Sequence, residues 1–156
     1  MAESAHNPTL FRCGDVVGEY GPSWLGRAIA WATRGRYEAR TWCSHVGRMV
    51  SPTEIAETGA RFRIVPFDVT RKVRVWRFRT GLSHEALACM TAKAQQYLGA
   101  HYGWWKLLPH LADGLLEKLL PVRSVYLFRR LMCLKRYPIC SWEVAWTYEE
   151  CVGYRF

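Results

Sequence analysis

The chain has 156 residues and a mass of 18.1 kDa, the size of one compact domain. It is long enough to bury roughly 68 to 70% of its unfolded surface without a metal or disulfide to hold it together. Half the residues are apolar, 14% aromatic and 22% charged, which excludes a disordered tail, a collagen-like fibre and a low-complexity linker. Twenty-two basic side chains, five Lys and 17 Arg, stand against 13 acidic ones, for a formal charge of +9. That field suits an anionic partner, whether nucleic acid, cell-wall polymer or lipid surface.

Residues 1–9 are polar and read as a loose segment ahead of a single domain over 10–156. Met1 to Arg12 has neither the basic start nor the apolar core of a leader, so synthesis in the cytoplasm is expected. The six cysteines, 13, 43, 89, 133, 140 and 151, then read as reduced thiols rather than a disulfide framework. Gly14-Asp15 is a turn leading into a short buried strand at Val16-Val17. Ser23 is a good N-cap for a helix from Trp24 to about Thr33, with Gly35 as its stop.

From Thr41 to Leu82 the period is that of strands, at His45–Val50, Glu54–Glu57, Arg61–Pro66 and Val73–Phe78. Arg61 and Arg63, Lys72 and Arg74, and Arg77 and Arg79 recur at strand spacing, so each pair shares a sheet face, either solvated or available to a polyanion. Ser83 caps a long helix running to Leu98, with Gly99 at its end and Leu87, Met90, Ala94 and Leu98 as its core stripe. Residues 104–136 are apolar, basic and broken by Pro109, Gly114 and Pro121, the pattern of a helical, lid-like insertion. Within it, Lys106, His110, Asp113, Glu117 and Lys118 break up the stretch from Trp104 to Pro121, leaving it short of the roughly 20 apolar residues a membrane-spanning helix needs. The last helix runs from Cys140 to about Glu150.

Cys140 therefore stands at a helix start, where the dipole lowers a thiol's pKa and free backbone N–H groups can hold an oxyanion. A cysteine nucleophile also needs a histidine base and a group to orient it. His45 opens a strand beside Gly47, a small residue that lets something approach, and Glu57 lies one strand further on. Taken singly, these three read equally well as an inert buried thiol, a core histidine and a surface carboxylate among arginines.

The blocks Gly14-Asp15-Val16-Val17, Trp24 to Thr33, Ser44-His45-Val46-Gly47, Ile55-Ala56-Glu57-Thr58-Gly59, Leu98-Gly99-Ala100-His101-Tyr102-Gly103 and Cys140-Ser141-Trp142-Glu143-Val144 stand in that order over residues 10 to 150. Together they resemble the permuted NlpC/P60 papain-like cysteine hydrolases, and more narrowly the YiiX-like branch. The resemblance implies an α+β fold with a small antiparallel sheet or partly open barrel packed by helices, its His strand first and its Cys helix last. It implies Cys140 as nucleophile, His45 as base, Glu57 as the residue that orients the imidazole, and Tyr102 near the oxyanion position. No cofactor and no metal are implied. The pattern departs from the family at Arg48, where an apolar strand residue is typical, and at Trp142.

The implied activity is hydrolysis of an amide bond by a thiol amidase or peptidase. Its substrate would be a peptide or acyl compound, with bacterial peptidoglycan leading. Three alternatives compete. Zinc held by Cys43, His45, Cys133 and Cys140 matches no usual ligand spacing. A nucleic-acid module lacks the helix-turn-helix and RNP patterns, so no specific nucleic acid is expected. A lipid-acting thiol hydrolase or acyltransferase at an anionic membrane surface fits Trp104, Trp105, Leu107 and Leu108 beside Lys106, but the Asn-Cys-Glu-His signature of the lecithin:retinol acyltransferase-like proteins is absent. The sequence sets no oligomeric state.

Overall fold

Short apolar runs bounded by turns form five strands: β1 Val16–Glu19, β2 His45–Ser51, β3 Glu54–Thr58, β4 Phe62–Pro66 and β5 Val73–Trp76. The structure, a computed structural model, describes residues 10–21, 43–103 and 140–154, together with positions 24, 26, 27, 30, 108, 112 and 116. All described pairings are antiparallel and the order is β4-β3-β2-β1-β5, an open sheet with β4 and β5 at its edges. Predicted strands and observed ones agree in number and order, with ends shifted by a residue or two. β4 starts at Phe62 rather than Arg61, and β5 stops at Trp76 rather than Phe78.

Two helices complete the described fold, α1 His84–Tyr97 and α2 Cys140–Val152. The Ser83 side chain accepts a hydrogen bond from the Ala86 N–H, as the predicted cap requires. Ala86, Met90 and Ala94 form the buried stripe of α1, spaced one turn apart. Leu98, expected in that stripe, is instead 51% exposed. The helix has already ended at Tyr97, and Leu98 takes an extended conformation before Gly99 turns the chain at φ +76°.

Residues directly opposite one another share a sheet face, so Val16 lies with Arg48 and Trp76, and Val17 with Gly47 and Val75. Both helices cover the first face, where Val16, Met90, Val144 and Tyr148 pack in one cluster and Ala56, Phe62 and Ala94 in another. The second face buries Phe11, Val17, Met49, Ile55 and Phe67. Gly47 sits where the Ile55 side chain of β3 crowds β2. A Cβ there would lie 2.8 Å from the Ile55 side chain, so what approaches this glycine is the neighbouring strand.

The cysteines are not all reduced, a correction to the sequence reading. Cys89 on α1 and Cys151 on α2 form a disulfide, their Cα atoms 5.6 Å apart. The packing of two distant helices sets that pairing, and the cysteine count carries no trace of it. The strand-spaced basic residues are not a uniform free face either, because Arg63 pairs with Glu57 and Arg77 with Asp15. Of the helix predicted from Trp24, positions 24, 26, 27 and 30 are helical, and Ser23 lies outside the described residues. The same holds for residues 1–9 and for the 104–136 insertion apart from helical positions 108, 112 and 116. Among the described residues no helix is long and apolar enough to cross a membrane.

Candidate active site

Cys140 is the first residue of α2 and belongs to its inward stripe, since Val144, Thr147 and Tyr148 recur at helical spacing behind it and are buried. The thiol therefore enters the core side of the helix at the end where backbone N–H groups have no helical partner. The sulfur accepts from the backbone N–H groups of Ser141 and Val46 and is hydrogen-bonded to His45. His45 opens β2, and its Nε2 lies 3.5 Å from Oε2 of Glu57, which leaves Nδ1 for the sulfur. Register explains the second contact. Arg48 pairs with Ala56, so Glu57, the next residue of β3, falls opposite Gly47, two residues from His45 on the same strand face.

Glu57 is 4% exposed and occupied on every side. Arg63, its direct cross-strand partner, donates to Oε1 through Nε at 3.1 Å and Nη2 at 2.6 Å. Arg71 bridges Glu57 Oε2 at 3.4 Å and Glu19 Oε2 at 3.2 Å. Glu54, the other carboxylate on β3, points elsewhere and accepts from Ser51 at 3.2 Å. Tyr102 is buried beside the sulfur. Its backbone N–H donates to Ala60 O at 3.1 Å, next to the Arg61–His101 bridge, and its side chain hydrogen-bonds Cys140.

The charge states follow from these contacts. Burial lowers the pKa of His45, but its hydrogen bonds to Cys140 and Glu57 outweigh that and raise it from 6.5 to about 10. Burial raises the Cys140 thiol, and His45 with the Val46 and Ser141 N–H groups outweighs it, so the net shift is downward. The bond from His45 lowers Glu57 to about 2, burial opposes it, and Arg63 lowers it further. Tyr102 is raised first by burial and then by the Cys140 charge, so it stays a protonated donor. The His45 and Cys140 shifts both favour the thiolate–imidazolium form, and the two titrations belong to the pair.

Three elements hold that pair in place, through residues that sequence reasoning missed. Arg48 on β2 is 0% exposed, and its Nη2 donates to Glu143 Oε1 at 3.0 Å and to Met90 O at 3.2 Å. Arg48 thus fills the buried position its strand calls for by burying its charge against a partner. Arg48 is three residues beyond His45 and Glu143 three beyond Cys140, so the buried ion pair spans the same 95 residues as the candidate reactive pair (140 minus 45). Two signals were available. A cation in an apolar strand needs a buried partner, and Glu143 stands on the helix that brings Cys140.

No protein-family profile matches the chain, and no curated protein matches it. Among solved structures the chain is similar to the crystal structure of metalloprotein YiiX from Escherichia coli O157:H7. The TM-score is 0.59 at 20% identity, covering 92% of this chain and 68% of that one. The likeness shows the fold, which is α+β and YiiX-like. Among the described residues no three His, Cys, Asp or Glu side chains come together as a metal site. His45 is shared between Cys140 and Glu57 instead, and Cys133 lies outside the described residues. Among the described residues the donor set, an imidazole already shared between a thiol and a carboxylate, does not fit a resident metal.

Proposed function

We propose that the protein is a thiol hydrolase of the permuted papain-like type, acting on amide bonds. The observation that carries this reading is the chain of contacts from Cys140 through His45 to Glu57, at a helix N-terminus and with every polar contact of the sulfur favouring its thiolate. The Cys140 thiolate attacks the carbonyl carbon, and the C=O electron pair moves onto oxygen. That oxyanion lies near the N-terminal N–H groups of α2 and the Tyr102 hydroxyl. These donors stabilise the sulfur's charge at rest and are released to the oxyanion once the sulfur has bonded to carbon. Imidazolium His45 gives its proton to the leaving amine, the C–N bond breaks, and an acyl-thioester remains. His45 then takes a proton from water, the hydroxide attacks the thioester, and the acid leaves as the thiolate re-forms. Glu57 holds the imidazole and stabilises its charged form.

Peptidoglycan stem peptide is the substrate we infer, and two properties support it. The charge of +9 suits an anionic wall. The Cys89–Cys151 disulfide suits action in an oxidising compartment. The test is mass analysis of products after incubation with purified peptidoglycan and, in parallel, with simple acyl esters. Peptide fragments with new amine ends, absent with Cys140→Ala, are the expected result. Cleavage of the esters alone moves the assignment to a lipid-type substrate, and no Cys140-dependent product from either refutes hydrolysis.

A further inference from the structure

At the opposite end of β1 from His45 lies a cavity of about 310 Å³, walled by the Arg12–Asp15 turn, the Arg77–Arg79 segment, and Leu82 and Leu87 at the start of α1. Glu19 pairs with His45, and the four residues from there back to Asp15 span roughly 13 Å of strand, so this cavity is separate from the candidate active site. Its shape depends on Gly14, whose φ is +88° and whose Cβ would lie 2.4 Å from the Leu82 side chain. The Tyr148 hydroxyl donates to the carbonyl of the same glycine and fixes the turn against α2.

The cavity's charge is unbalanced. Asp15 is 1% exposed and fully engaged by Arg77 Nε at 2.7 Å, Arg77 Nη2 at 2.6 Å and the Arg12 N–H at 2.8 Å. Asp15 and Arg77 therefore cancel, with Arg77 Nη1 left over. Arg12 and Arg79 keep exposed guanidinium groups with no anionic partner among the described residues, so the cavity carries two uncompensated positive charges. Cys13 lies in the wall of this cavity. Burial raises that thiol, and the opposing pull of Arg48 is stronger than the push of Asp15. A second cavity of about 400 Å³ shares Arg77, Phe78 and Arg79 with the first and is lined by the rings of Trp76, Tyr148 and Tyr154.

We propose that the Arg12–Arg77–Arg79 cavity binds the terminal phosphate of a phosphomonoester, with the adjoining aromatic cavity taking the apolar part of the same ligand. Two free guanidinium groups match a dianion in charge, and their planar forks match its several terminal oxygens. A soluble phosphomonoester and a phospholipid headgroup share this chemistry. Inorganic phosphate and glycerol phosphate titrated into the full chain by calorimetry test the first source. Co-sedimentation with phosphatidic acid vesicles, against phosphatidylcholine vesicles, tests the second.

The expected result is saturable one-to-one binding to at least one of these probes, weakened about tenfold or more by Arg12→Ala with Arg79→Ala. Both side chains are exposed and have no ion-pair partner among the described residues, so the double variant should keep the parent's unfolding midpoint. Bound phosphate should slow alkylation of Cys13 and leave Cys140 untouched. Sedimentation with phosphatidic acid alone assigns a lipid headgroup, and binding of the soluble probes alone assigns a free phosphate. Binding to none of them, binding that survives the double substitution, or protection of Cys140 in place of Cys13 overturns the proposal.

Discussion

Replacing Glu143 with Gln tests whether the buried pair with Arg48 holds α2 on β2. The amide keeps the side chain's shape and can still accept from Arg48 Nη2 and from the Thr147 hydroxyl, which donate to Glu143 Oε1 at 3.0 and 3.1 Å. Only the charge is lost. Arg48 is then a cation with no counter-charge at a fully buried position, where its Nε and Nη1 already lack hydrogen-bond partners among the described residues. Breaking a buried pair by removing one partner costs about 3 to 5 kcal/mol, and retention of both hydrogen bonds puts Glu143→Gln near the lower figure. For a chain of this length each kcal/mol moves the unfolding midpoint by about 2 to 4 °C, so a drop of roughly 6 to 12 °C is expected by circular dichroism. Arg48→Met with Glu143→Leu removes both charges and should recover most of that loss. A Glu143→Gln protein within about 1 kcal/mol of the parent would refute the clamp, as would a double variant less stable than the single one.

Cys140 should be the first thiol labelled by limiting iodoacetamide, ahead of Cys13 and Cys43, whose pKa values burial raises; peptide mapping in which either of those leads by a wide margin removes the nucleophile assignment. Glu57→Gln should keep the fold and part of the activity, Cys140→Ala should abolish turnover, and Glu54→Gln should leave kcat near the parent value, all read by steady-state kinetics on the substrate identified above. Glu57 falls from 4.5 to about 2 on folding, so its contribution, on the order of 3 kcal/mol, is present above about pH 4.5 and lost as pH falls through about 2; urea unfolding across that range should show Glu57→Gln losing less stability on acidification than the parent. Reducing the Cys89–Cys151 disulfide, which spans 62 residues, should cost up to about 4 kcal/mol and lower the unfolding midpoint, while a Cys89→Ser, Cys151→Ser protein should not respond to reductant.

How far the sequence could be read depended on whether a feature was local. The Ser83 cap, the one-turn spacing of Met90 and Ala94, and the Gly14 turn are set by neighbours along the chain, and each forms as its residue types require. Leu98 was misread because helical spacing continues one residue past the point where Gly99 ends the helix. The Cys89–Cys151 disulfide and the cationic cavity depend on how α1, α2 and the loop after β5 come together, for which no spacing rule exists. The order of the blocks, not any single spacing, brought Cys140, His45, Glu57 and Tyr102 into one reading.

Arg48 marks the boundary between these two kinds of information. In the run Val46-Gly47-Arg48-Met49-Val50 it breaks an apolar pattern, and against the family's blocks it is a departure. A cation cannot stay unpaired in a buried strand, so its presence demands an anion from another element. Glu143 meets that demand at the same offset from Cys140 as Arg48 has from His45, and the two pairs fix the same two elements in one register. An apolar residue at 48 would impose no directional constraint on α2, because apolar burial is non-directional. The charged pair does impose one, since its hydrogen bond depends on distance and angle, and in the register it occupies the Cys140 sulfur reaches the His45 ring.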